Sequence, residues 1–233
     1  MKVALITGGS RGIGLAMAKA FAGAGYGVIV TGRDEAQLKK AITELKGSAG
    51  SVEGLNCDVS DPASVQKLFQ AVCESHSSID VLVNNAGVAH ELLSVDKLPL
   101  EIWKQVIDTN LTGTFLVTQA ALPLMKAGST IVNNLSVAAL QPFAGMSAYN
   151  ASKFGALGFT KALREDVRKQ GIRVLALIAG ATDTDIWKQF WPDAPREKMM
   201  AAETVAVAVL HAASAPPEAS VEEIIIGPTA GVL

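Results

Sequence analysis

The sequence predicts a doubly wound α/β protein, with a mainly parallel seven-stranded sheet, helices on both faces and a single domain over residues 1–233. Short apolar segments alternate with segments of helical periodicity, which is the order that builds βαβ units. Hydrophobic residues make up 49% of the chain and aromatic residues only 5%, so Val, Ile, Leu and Ala dominate the predicted core, as in parallel sheets covered by helices. Ligands of such sheets bind beyond the carboxyl ends of the strands, so polar residues that follow strands are the first candidates for a site.

Each predicted strand is a short apolar run, and each predicted helix repeats apolar residues at spacings of three and four. The strands are expected at residues 2–7, 27–31, 52–57, 79–83, 130–135, 172–178 and 221–226. The helices are expected at residues 13–21, 34–45, 61–74, 99–125, 147–169 and 203–213. The sequence shows no repeat, low-complexity segment or linker that would mark a second domain.

Composition argues against several classes of partner. The net charge is −2 and no long basic run is present, so neither nucleic acid nor an anionic membrane is an expected partner. The histidines, His76, His90 and His211, are scattered, and no metal site is predicted. Cys57 and Cys73 lack the CxxC spacing and are expected to be reduced thiols in a cytoplasmic protein. We expect no signal segment and no membrane span, because no apolar run approaches about 20 residues.

The first predicted strand runs directly into a glycine-rich turn, which a helix follows. The spacing of this turn, G-x-x-x-G-x-G, differs from the G-x-G-x-x-G of the usual dinucleotide fingerprint. Glycines allow positive φ and a close approach of the backbone to a ligand, and a helix N-terminus offers free N–H groups to a phosphate. The alternative is a tight strand–helix turn without a ligand. The candidate binding residues are Gly8, Ser10, Arg11, Gly12, Ile13 and Gly14.

A second group of candidates lies where the fifth predicted strand ends and the next helix begins. Ser136 closes the strand, and Tyr149 and Lys153 are four residues apart, on one face of the helix. A free tyrosine has a pKa of about 10, which is too high for ready proton exchange near neutrality. We expect the neighbouring ammonium to favour the phenolate and to lower that pKa. The alternative is an exposed helix face, because YxxxK alone is a weak pattern.

Together these motifs resemble the short-chain dehydrogenase/reductase family over nearly the whole chain. The similarity lies in Thr7-Gly8-x-x-x-Gly12-x-Gly14, in the N-N-A-G motif of residues 84–87, and in Ser136 followed by Tyr149-x-x-x-Lys153. The resemblance implies a Rossmann-type fold and an oxidoreductase that exchanges hydride between a nicotinamide and a ketone or secondary alcohol. It implies that Tyr149 is the general acid/base, that Ser136 binds the substrate oxygen, and that Lys153 lowers the tyrosine pKa and binds ribose.

The resemblance also assigns residues whose own patterns are weaker. Asn110 is a poor interior residue for the helix predicted around it and matches the catalytic asparagine of the family, with a solvent-facing side chain as the alternative. Ala179 stands where the family usually has proline, which puts the placement of the nicotinamide in question. The further cofactor-binding positions that the resemblance implies are Asp58, Val59, Asn85, Ala86, Gly87 and Thr184.

Residues after the second predicted strand favour NADP(H) over NAD(H). The strand tip is Gly32, where NAD users of the family tend to carry an acid, and Arg33 follows it. With Arg11 in the glycine turn, two guanidiniums suit a 2′-phosphate. Asp34 is a rival, since an acid about 20 residues past the turn can bind the ribose of NAD. Asp34 also has the position of a helix N-cap, with a capping-box glutamine three residues later.

The segment at about 185–200 matches the part of the family that covers the substrate. Trp187 and Trp191 in this segment, with Phe143 and Met146 ahead of the tyrosine, predict an apolar pocket. Ordinary core packing or a subunit contact is the alternative for these side chains. We expect a small-molecule carbonyl or alcohol substrate and a homo-oligomer, a dimer or tetramer, that covers the edge strand at residues 221–226. Besides an NADPH-dependent carbonyl reductase, an NAD-preferring dehydrogenase and a non-catalytic dinucleotide-sensing regulator stay open.

Overall fold

A computed structural model of the chain describes residues 1–216 and 218–231. Its strands are β1 (Val3–Ile6), β2 (Gly27–Gly32), β3 (Val52–Asn56), β4 (Val81–Asn84), β5 (Thr130–Asn134), β6 (Arg173–Ala179) and β7 (Glu223–Ile226). Its α-helices are α1 (Gly12–Gly23), α2 (Glu35–Leu45), α3 (Pro62–Ser75), α4 (Leu100–Ile107), α5 (Gly113–Ala121), α6 (Ser147–Val167) and α7 (Ala202–Ala213). Short 3₁₀ turns lie in the connections, among them Val137–Ala139, Asp185–Gln189 and Arg196–Lys198.

The strands form one seven-stranded sheet in the order β3-β2-β1-β4-β5-β6-β7. Every neighbouring pair is parallel. The strand order reverses between β1 and β4, where Leu5 pairs with Leu82. Connections leave such a switch point on opposite faces of the sheet, which opens a crevice beyond the carboxyl ends of the strands. The predicted doubly wound fold is confirmed, with β3 and β7 at its edges.

Apolar side chains cover both faces of the sheet. On one face α1 packs against α7, and Met17, Phe21 and Val205 are fully buried between these helices and the strands. On the other face α3 and α5 pack around Phe69 and Val117. Removal of this apolar surface from water holds the strands in place, so the polar groups of the site can be concentrated at the strand ends.

The helix expected at residues 99–125 is interrupted, which corrects that prediction. α4 ends at Ile107, a π-helical turn spans Asp108–Thr112, and α5 begins at Gly113. The Gly113 N–H donates to the carbonyl oxygen of Asp108, five residues earlier. A Cβ on Gly113 would lie 2.7 Å from Cγ2 of Val59, so the glycine lets this turn approach the connection after β3. The extra residue of the π turn changes the direction in which residues of this segment face.

Within the described residues, no helix has both the length and the apolar character that crossing a bilayer requires. The same ranges contain no cluster of three or more His, Cys, Asp or Glu side chains that could surround a metal ion. That residues 1–233 form a single domain stays a prediction, because residues 217, 232 and 233 lie outside the description.

Candidate active site

A cavity of about 800 Å³ lies beyond the carboxyl ends of the strands. Its wall runs from the glycine turn after β1, past the ends of β2, β3 and β4, to α6 and the segment after β6. Only Asn110 of the predicted site residues lies outside this wall, buried behind it. The cofactor candidates in the wall are Gly8, Ser10, Arg11, Gly12, Ile13, Gly14, Arg33, Asp58, Val59, Asn85, Ala86, Gly87 and Thr184. The catalytic and pocket candidates in the wall are Ser136, Tyr149, Lys153, Phe143, Met146, Trp187 and Trp191.

The turn between β1 and α1 requires glycine at three positions. Gly8 and Gly12 have φ of 61° and 55°, in the left-handed region that other residues rarely adopt. A Cβ on Gly14 would lie 2.4 Å from Nδ2 of Asn85 and 2.5 Å from the carbonyl oxygen of Gly8. The side chain of Arg11, the N-cap of α1, makes no capping bond, so the first N–H groups of the helix are free for an anion. This cradle fits the pyrophosphate of a dinucleotide.

Asn85 ties the glycine turn to the ends of β4 and β5. Its Nδ2 donates to the carbonyl oxygens of Thr7 and Gly8, at 2.9 and 3.1 Å. Its main-chain N–H donates to Oγ1 of Thr7 at 2.9 Å. On the other side, Nδ2 of Asn134 donates to Oδ1 of Asn85 at 2.8 Å. The ends of three adjacent strands are therefore held in one position by side-chain hydrogen bonds.

Ser136, Tyr149 and Lys153 come together in the wall beside this bracing. Ser136 follows β5, and its Oγ accepts from the N–H of Ala138 at 3.2 Å. Tyr149 and Lys153 lie in the first two turns of α6, and Nζ of Lys153 is 5.6 Å from the centre of the Tyr149 ring. Nζ also donates to the carbonyl oxygen of Asn134 at 2.9 Å. The wall thus offers a hydroxyl, a phenol and an ammonium to one ligand, as acid–base catalysis with oxyanion stabilisation requires.

Burial dominates the titration of Tyr149 and Lys153. Burial raises the pKa of Tyr149, and the hydrogen bond with the Ser136 side chain lowers it only in part. Burial lowers the pKa of Lys153 to about 8. The expectation that the ammonium gives Tyr149 a lowered pKa is therefore wrong for this structure, because the charged form of each group loses its hydration. At neutral pH the phenol keeps its proton, which suits a general acid.

Asn110 lies in the π-helical turn and supports the wall from behind. Its Oδ1 accepts from the N–H of Val88, and its Nδ2 donates to the carbonyl oxygen of Val88, both at 2.9 Å. Nδ2 also donates to Oγ of Ser152 at 3.0 Å, and Ser152 donates to the carbonyl oxygen of Tyr149 at 2.7 Å. With 3% exposure, Asn110 is not solvent-facing. Its own carbonyl oxygen accepts from Oγ1 of Thr114 at 2.9 Å.

The ends of β2 and β3 carry the residues that bear on the choice of cofactor. A Cβ on Gly32 would lie 3.2 Å from Oγ of Ser10, so the strand tip is narrow. Arg33 pairs with Asp58 at 3.4 Å, and both side chains are substantially exposed. Burial raises the pKa of Asp58, but the bonds from Ser60 and the charge of Arg33 bring it below its ordinary value. Oδ1 of Asp34 accepts from the first turn of α2, at 2.9 and 3.0 Å, as an N-cap.

Arg11 has different neighbours from Arg33. A hydrogen bond from Lys188 lowers the pKa of Asp185, burial opposes this, and the charges of Arg11 and Arg196 lower it further. Arg11 is therefore near enough to Asp185 to influence its pKa, whereas Arg33 pairs with Asp58. Both arginines line the same cavity, and that their two guanidiniums serve one 2′-phosphate stays a prediction.

The segment after β6 closes the cavity with aromatic side chains and a few hydrogen bonds. The ring centre of Trp187 lies 4.9 Å from that of Phe190 and 6.1 Å from that of Trp191. Nη1 of Arg196 donates to the carbonyl oxygen of Thr184 at 2.7 Å and fixes the start of the segment. Oε1 of Gln189 accepts from the N–H of Ala89 at 3.0 Å, which joins the segment to the connection after β4.

Ala179 is the last residue of β6, where the resemblance had implied proline. The next residue, Gly180, donates its N–H to the carbonyl oxygen of Ile226 at 2.8 Å. A Cβ on Gly180 would lie 3.2 Å from Cα of Gly227, so this glycine allows a close approach to the end of β7. Pairing with β7 thus fixes the turn that a proline would otherwise restrict.

Comparison with known proteins places these motifs in a family, since the profile of the short chain dehydrogenase family matches residues 2–195. The chain belongs to this family. It is 37% identical over 224 residues to the 3-oxoacyl-[acyl-carrier-protein] reductase FabG of Chlamydia muridarum, across 91% of this chain and 90% of that protein. The predicted family is confirmed.

Solved structures support the same assignment. An alcohol dehydrogenase from the archaeon Thermococcus sibiricus, complexed with 5-hydroxy-NADP, matches with a TM-score of 0.91 and 29% identity over 98% of this chain and 97% of that one. A 3-ketoacyl-(acyl-carrier-protein) reductase from Brucella melitensis, complexed with NADH, matches with a TM-score of 0.88 and 28% identity over 97% and 96% of the two chains. Both matches extend over nearly the whole length of this chain.

Three side chains of this short chain dehydrogenase site were missed by the sequence analysis. They are Asn134, Ser152 and Gln189, whose partners include Asn85, Asn110 and Ala89. The adjacent polar residues Asn133 and Asn134 at the end of β5 could have drawn attention to Asn134. Nothing local distinguishes Ser152 or Gln189, because their partners lie 42 and 100 residues away along the chain.

Proposed function

We propose that this chain is an NADPH-dependent carbonyl reductase that also works in reverse as an alcohol dehydrogenase. The observation that carries the proposal is that Ser136, Tyr149 and Lys153 share one cavity with the glycine cradle. A cofactor whose pyrophosphate lies on the cradle can extend along the same wall toward the phenol. Membership of the family supports oxidoreductase activity, and the acid–base side chains support a carbonyl as the group that is reduced.

In the proposed reduction, bound NADPH supplies the hydride to the carbonyl carbon. Ser136 Oγ and Tyr149 Oη donate hydrogen bonds to the carbonyl oxygen, where negative charge develops. Tyr149 then gives its proton to that oxygen as general acid. Its raised pKa keeps the proton on the phenol at neutral pH, which is the protonation state that reduction requires. Oxidation needs the phenolate, and we expect its rate to rise toward alkaline pH.

Lys153 and Asn110 complete the proposed machinery. Among the described residues, the Lys153 ammonium has one acceptor, the Asn134 carbonyl oxygen, which leaves donors for ribose hydroxyls. Asn110 acts from behind the wall, because it positions Ser152, which bonds the main chain of Tyr149. We therefore assign Lys153 to ribose binding and to the charge near the phenol, and Asn110 to the position of the tyrosine.

NADP is proposed over NAD from the chemistry at the end of β2. Gly32 supplies no carboxylate to bind ribose hydroxyls, and Ser10 Oγ lies over it. The exposed pair between Arg33 and Asp58 is worth little, so a 2′-phosphate can recruit the guanidinium. Oδ1 of Asp34 is occupied by its capping bonds. NAD is the second candidate, because Asp34 also lines the cavity at the end of β2, where a carboxylate can bind ribose hydroxyls.

Assembly and location stay predictions of the sequence. We propose a homo-oligomer, a dimer or tetramer, on the ground that β7 presents an edge of the sheet. Sedimentation of the protein at micromolar concentration tests this, and a single monomeric species would contradict it. A small-molecule carbonyl or alcohol substrate and a cytoplasmic location belong to the same proposal.

The test of the proposed activity is oxidation of NADPH with a broad panel of ketones, aldehydes and 2-oxo acids. Tyr149→Phe is expected to lower kcat/KM by about 10³-fold while NADPH still binds, because only the proton donor is lost. The matched control is Tyr26→Phe, since Tyr26 is buried in the core against Phe21. No turnover with any compound, or equal turnover by Tyr149→Phe, would favour the dinucleotide-sensing regulator.

A further inference from the structure

The substrate end of the cavity is lined by apolar side chains from three segments. Trp187, Phe190 and Trp191 form the aromatic cluster of the segment after β6. Phe143 and Met146 line the cavity from the connection ahead of α6. A hydrogen bond of 3.0 Å from the Leu93 N–H to the Gly145 carbonyl oxygen brings the connection after β4 beside them. Flat apolar groups pack well against such a wall, because aromatic pairs favour stacked or edge-on contact.

The charged side chains of the cavity belong to other parts of its wall. Within the described lining, no charged residue comes from 86–92, 136–146 or 186–191. The six charged lining residues are Arg11, Arg33, Asp34, Asp58, Lys153 and Asp185. Nζ of Lys153 donates to the carbonyl oxygen of Asn134, and Asp185 is paired with Lys188. A carboxylate held against residues 86–92, 136–146 and 186–191 would therefore lose its hydration without meeting a lining cation from these three stretches.

One uncommitted donor lies in this apolar wall. Oε1 of Gln189 accepts from the N–H of Ala89 at 3.0 Å. Because a main-chain N–H can only donate, this bond fixes which end of the amide is oxygen and leaves Nε2 as a donor on the other side. Nε2 makes no hydrogen bond within the part of the chain that the structure describes. The indole N–H of Trp187 is already used, since it donates to the carbonyl oxygen of Thr182 at 2.9 Å.

Resting on the proposed carbonyl reductase function, we propose that the substrate is a neutral ketone with a flat apolar group and a second hydrogen-bond acceptor, which Gln189 Nε2 binds. The flat group lies against the aromatic cluster, and the ketone oxygen lies at Ser136 and Tyr149. Gln189 is then a specificity-determining residue, because a substrate without the second acceptor leaves its donor unpaired. Substrates that carry a free carboxylate are excluded by the same wall.

Three phenyl ketones test the substrate class with NADPH as cofactor. Methyl benzoylformate is neutral and has the second acceptor, benzoylformate carries a carboxylate, and propiophenone lacks the acceptor. The kcat/KM of the wild type for the ester is expected to exceed that for the acid by about 100-fold or more, because the carboxylate is desolvated without a partner. Equal kcat/KM for ester and acid would overturn the proposal that the substrate is neutral.

Gln189→Glu removes the Nε2 donor and keeps an oxygen that can accept the bond from the Ala89 N–H. The glutamate oxygen can still accept from the Ala89 N–H, but the Nε2 donor is lost. The kcat/KM ratio of ester to propiophenone is expected to fall about tenfold relative to wild type, and intrinsic reactivity cancels in this comparison. An unchanged ratio, with both substrates affected equally, would overturn the assignment to Gln189.

Trp191→Arg supplies the missing counterion. Trp191 is 40% exposed, so the substitution is tolerated at little cost to the fold. The ratio of ester to acid is expected to fall about tenfold as benzoylformate gains a partner. An unchanged ratio would contradict the role given to charge in this wall. Turnover of other carbonyls without turnover of these three would refute the substrate class alone, whereas no turnover of any carbonyl would refute the proposed function.

Discussion

The wall around the glycine turn is held by hydrogen bonds between strand ends, whereas the wall around Trp187 is held by contacts among aromatic side chains. In the first region, which we call the cofactor half, Asn85 alone bonds Thr7, Gly8 and Asn134. In the second, the substrate half, Gln189 accepts a single bond from the connection after β4. The donors of Trp187 and Arg196 bond residues 182–184, at the start of the segment itself. The cofactor half is fixed by backbone geometry, and the substrate half by side chains that can change without moving a strand.

This difference accounts for how one fold can keep a cofactor and change its substrate. Replacing a glycine of the cofactor half forces a strand end or a helix to move, since the nearest atoms include main-chain oxygen. Replacing an aromatic residue of the substrate half changes the shape and polarity of the pocket with little effect on the sheet. Substitutions in the cofactor half are therefore expected to change cofactor binding or stability, and substitutions in the substrate half to change substrate choice.

Gly14→Ala should damage the cofactor half most. Its Cβ would lie 2.4 Å from Asn85 Nδ2 and 2.5 Å from the Gly8 carbonyl oxygen, so the bracing must shift. We expect NADPH affinity, measured by fluorescence titration, to fall about 100-fold, which corresponds to overpacking of about 3 kcal/mol. The matched control is Gly23→Ala in the same helix, where a Cβ would meet nothing within 4 Å. Equal NADPH affinity in the two variants would contradict the role given to the hydrogen bonds between Asn85 and the glycine turn.

Lys153 lies where the two halves meet, and its burial makes stability depend on pH. The unfolded chain holds this proton up to about pH 10.5, but the folded chain releases it at a pKa of about 8. Between these values the unfolded state binds more protons, so the free energy of unfolding of the wild type rises with pH relative to Lys153→Met. The gain is expected to be about 2 kcal/mol between roughly pH 8 and pH 10.

Urea denaturation of both proteins across this range measures the effect. Lys161→Met is the control, because Lys161 lies on the exposed face of the same helix and pairs with Glu223 at 3.5 Å. A stability difference between wild type and Lys153→Met that stays constant with pH would show that the ammonium is not desolvated. The same pH-dependent difference in the Lys161→Met control would also contradict the assignment to Lys153.

Arg33→Ala tests the proposed contact between Arg33 and the 2′-phosphate of NADPH, at the rim of the cofactor half. Loss of one exposed charge-assisted bond should raise KM for NADPH about tenfold and leave KM for NADH nearly unchanged. Steady-state kinetics with the two cofactors and one ketone give both values. If the KM values for NADPH and NADH rise equally, Arg33 stabilises the end of β2 and does not bind the 2′-phosphate.

Most of the cofactor half could be predicted from the sequence because its signals are local. The glycine spacing, the Asp34 cap and the four-residue step from Tyr149 to Lys153 each lie within one turn or helix. The apolar runs placed the seven strands to within a few residues, most directly for the central strands, which are buried on both faces.

What the sequence could not supply depends on distant contacts and on burial. The π-helical turn at Asn110 leaves no mark in the apolar pattern, because one extra residue is absorbed where Gly113 meets Val59. The raised pKa of Tyr149 comes from desolvation, which spacing along a helix does not reveal. Gln189 was overlooked for a similar reason, since its partner lies in another connection.

A crystal structure with NADPH and a non-reacting carbonyl ligand tests the central claim most directly. The claim is that the phenol of Tyr149 donates a proton to a carbonyl oxygen beside the nicotinamide. The account predicts Tyr149 Oη and Ser136 Oγ both within about 3 Å of the ligand oxygen, with the nicotinamide against the ligand carbon. A ligand oxygen bound away from both hydroxyls, or a nicotinamide on the far side of the cavity from Tyr149, would contradict it.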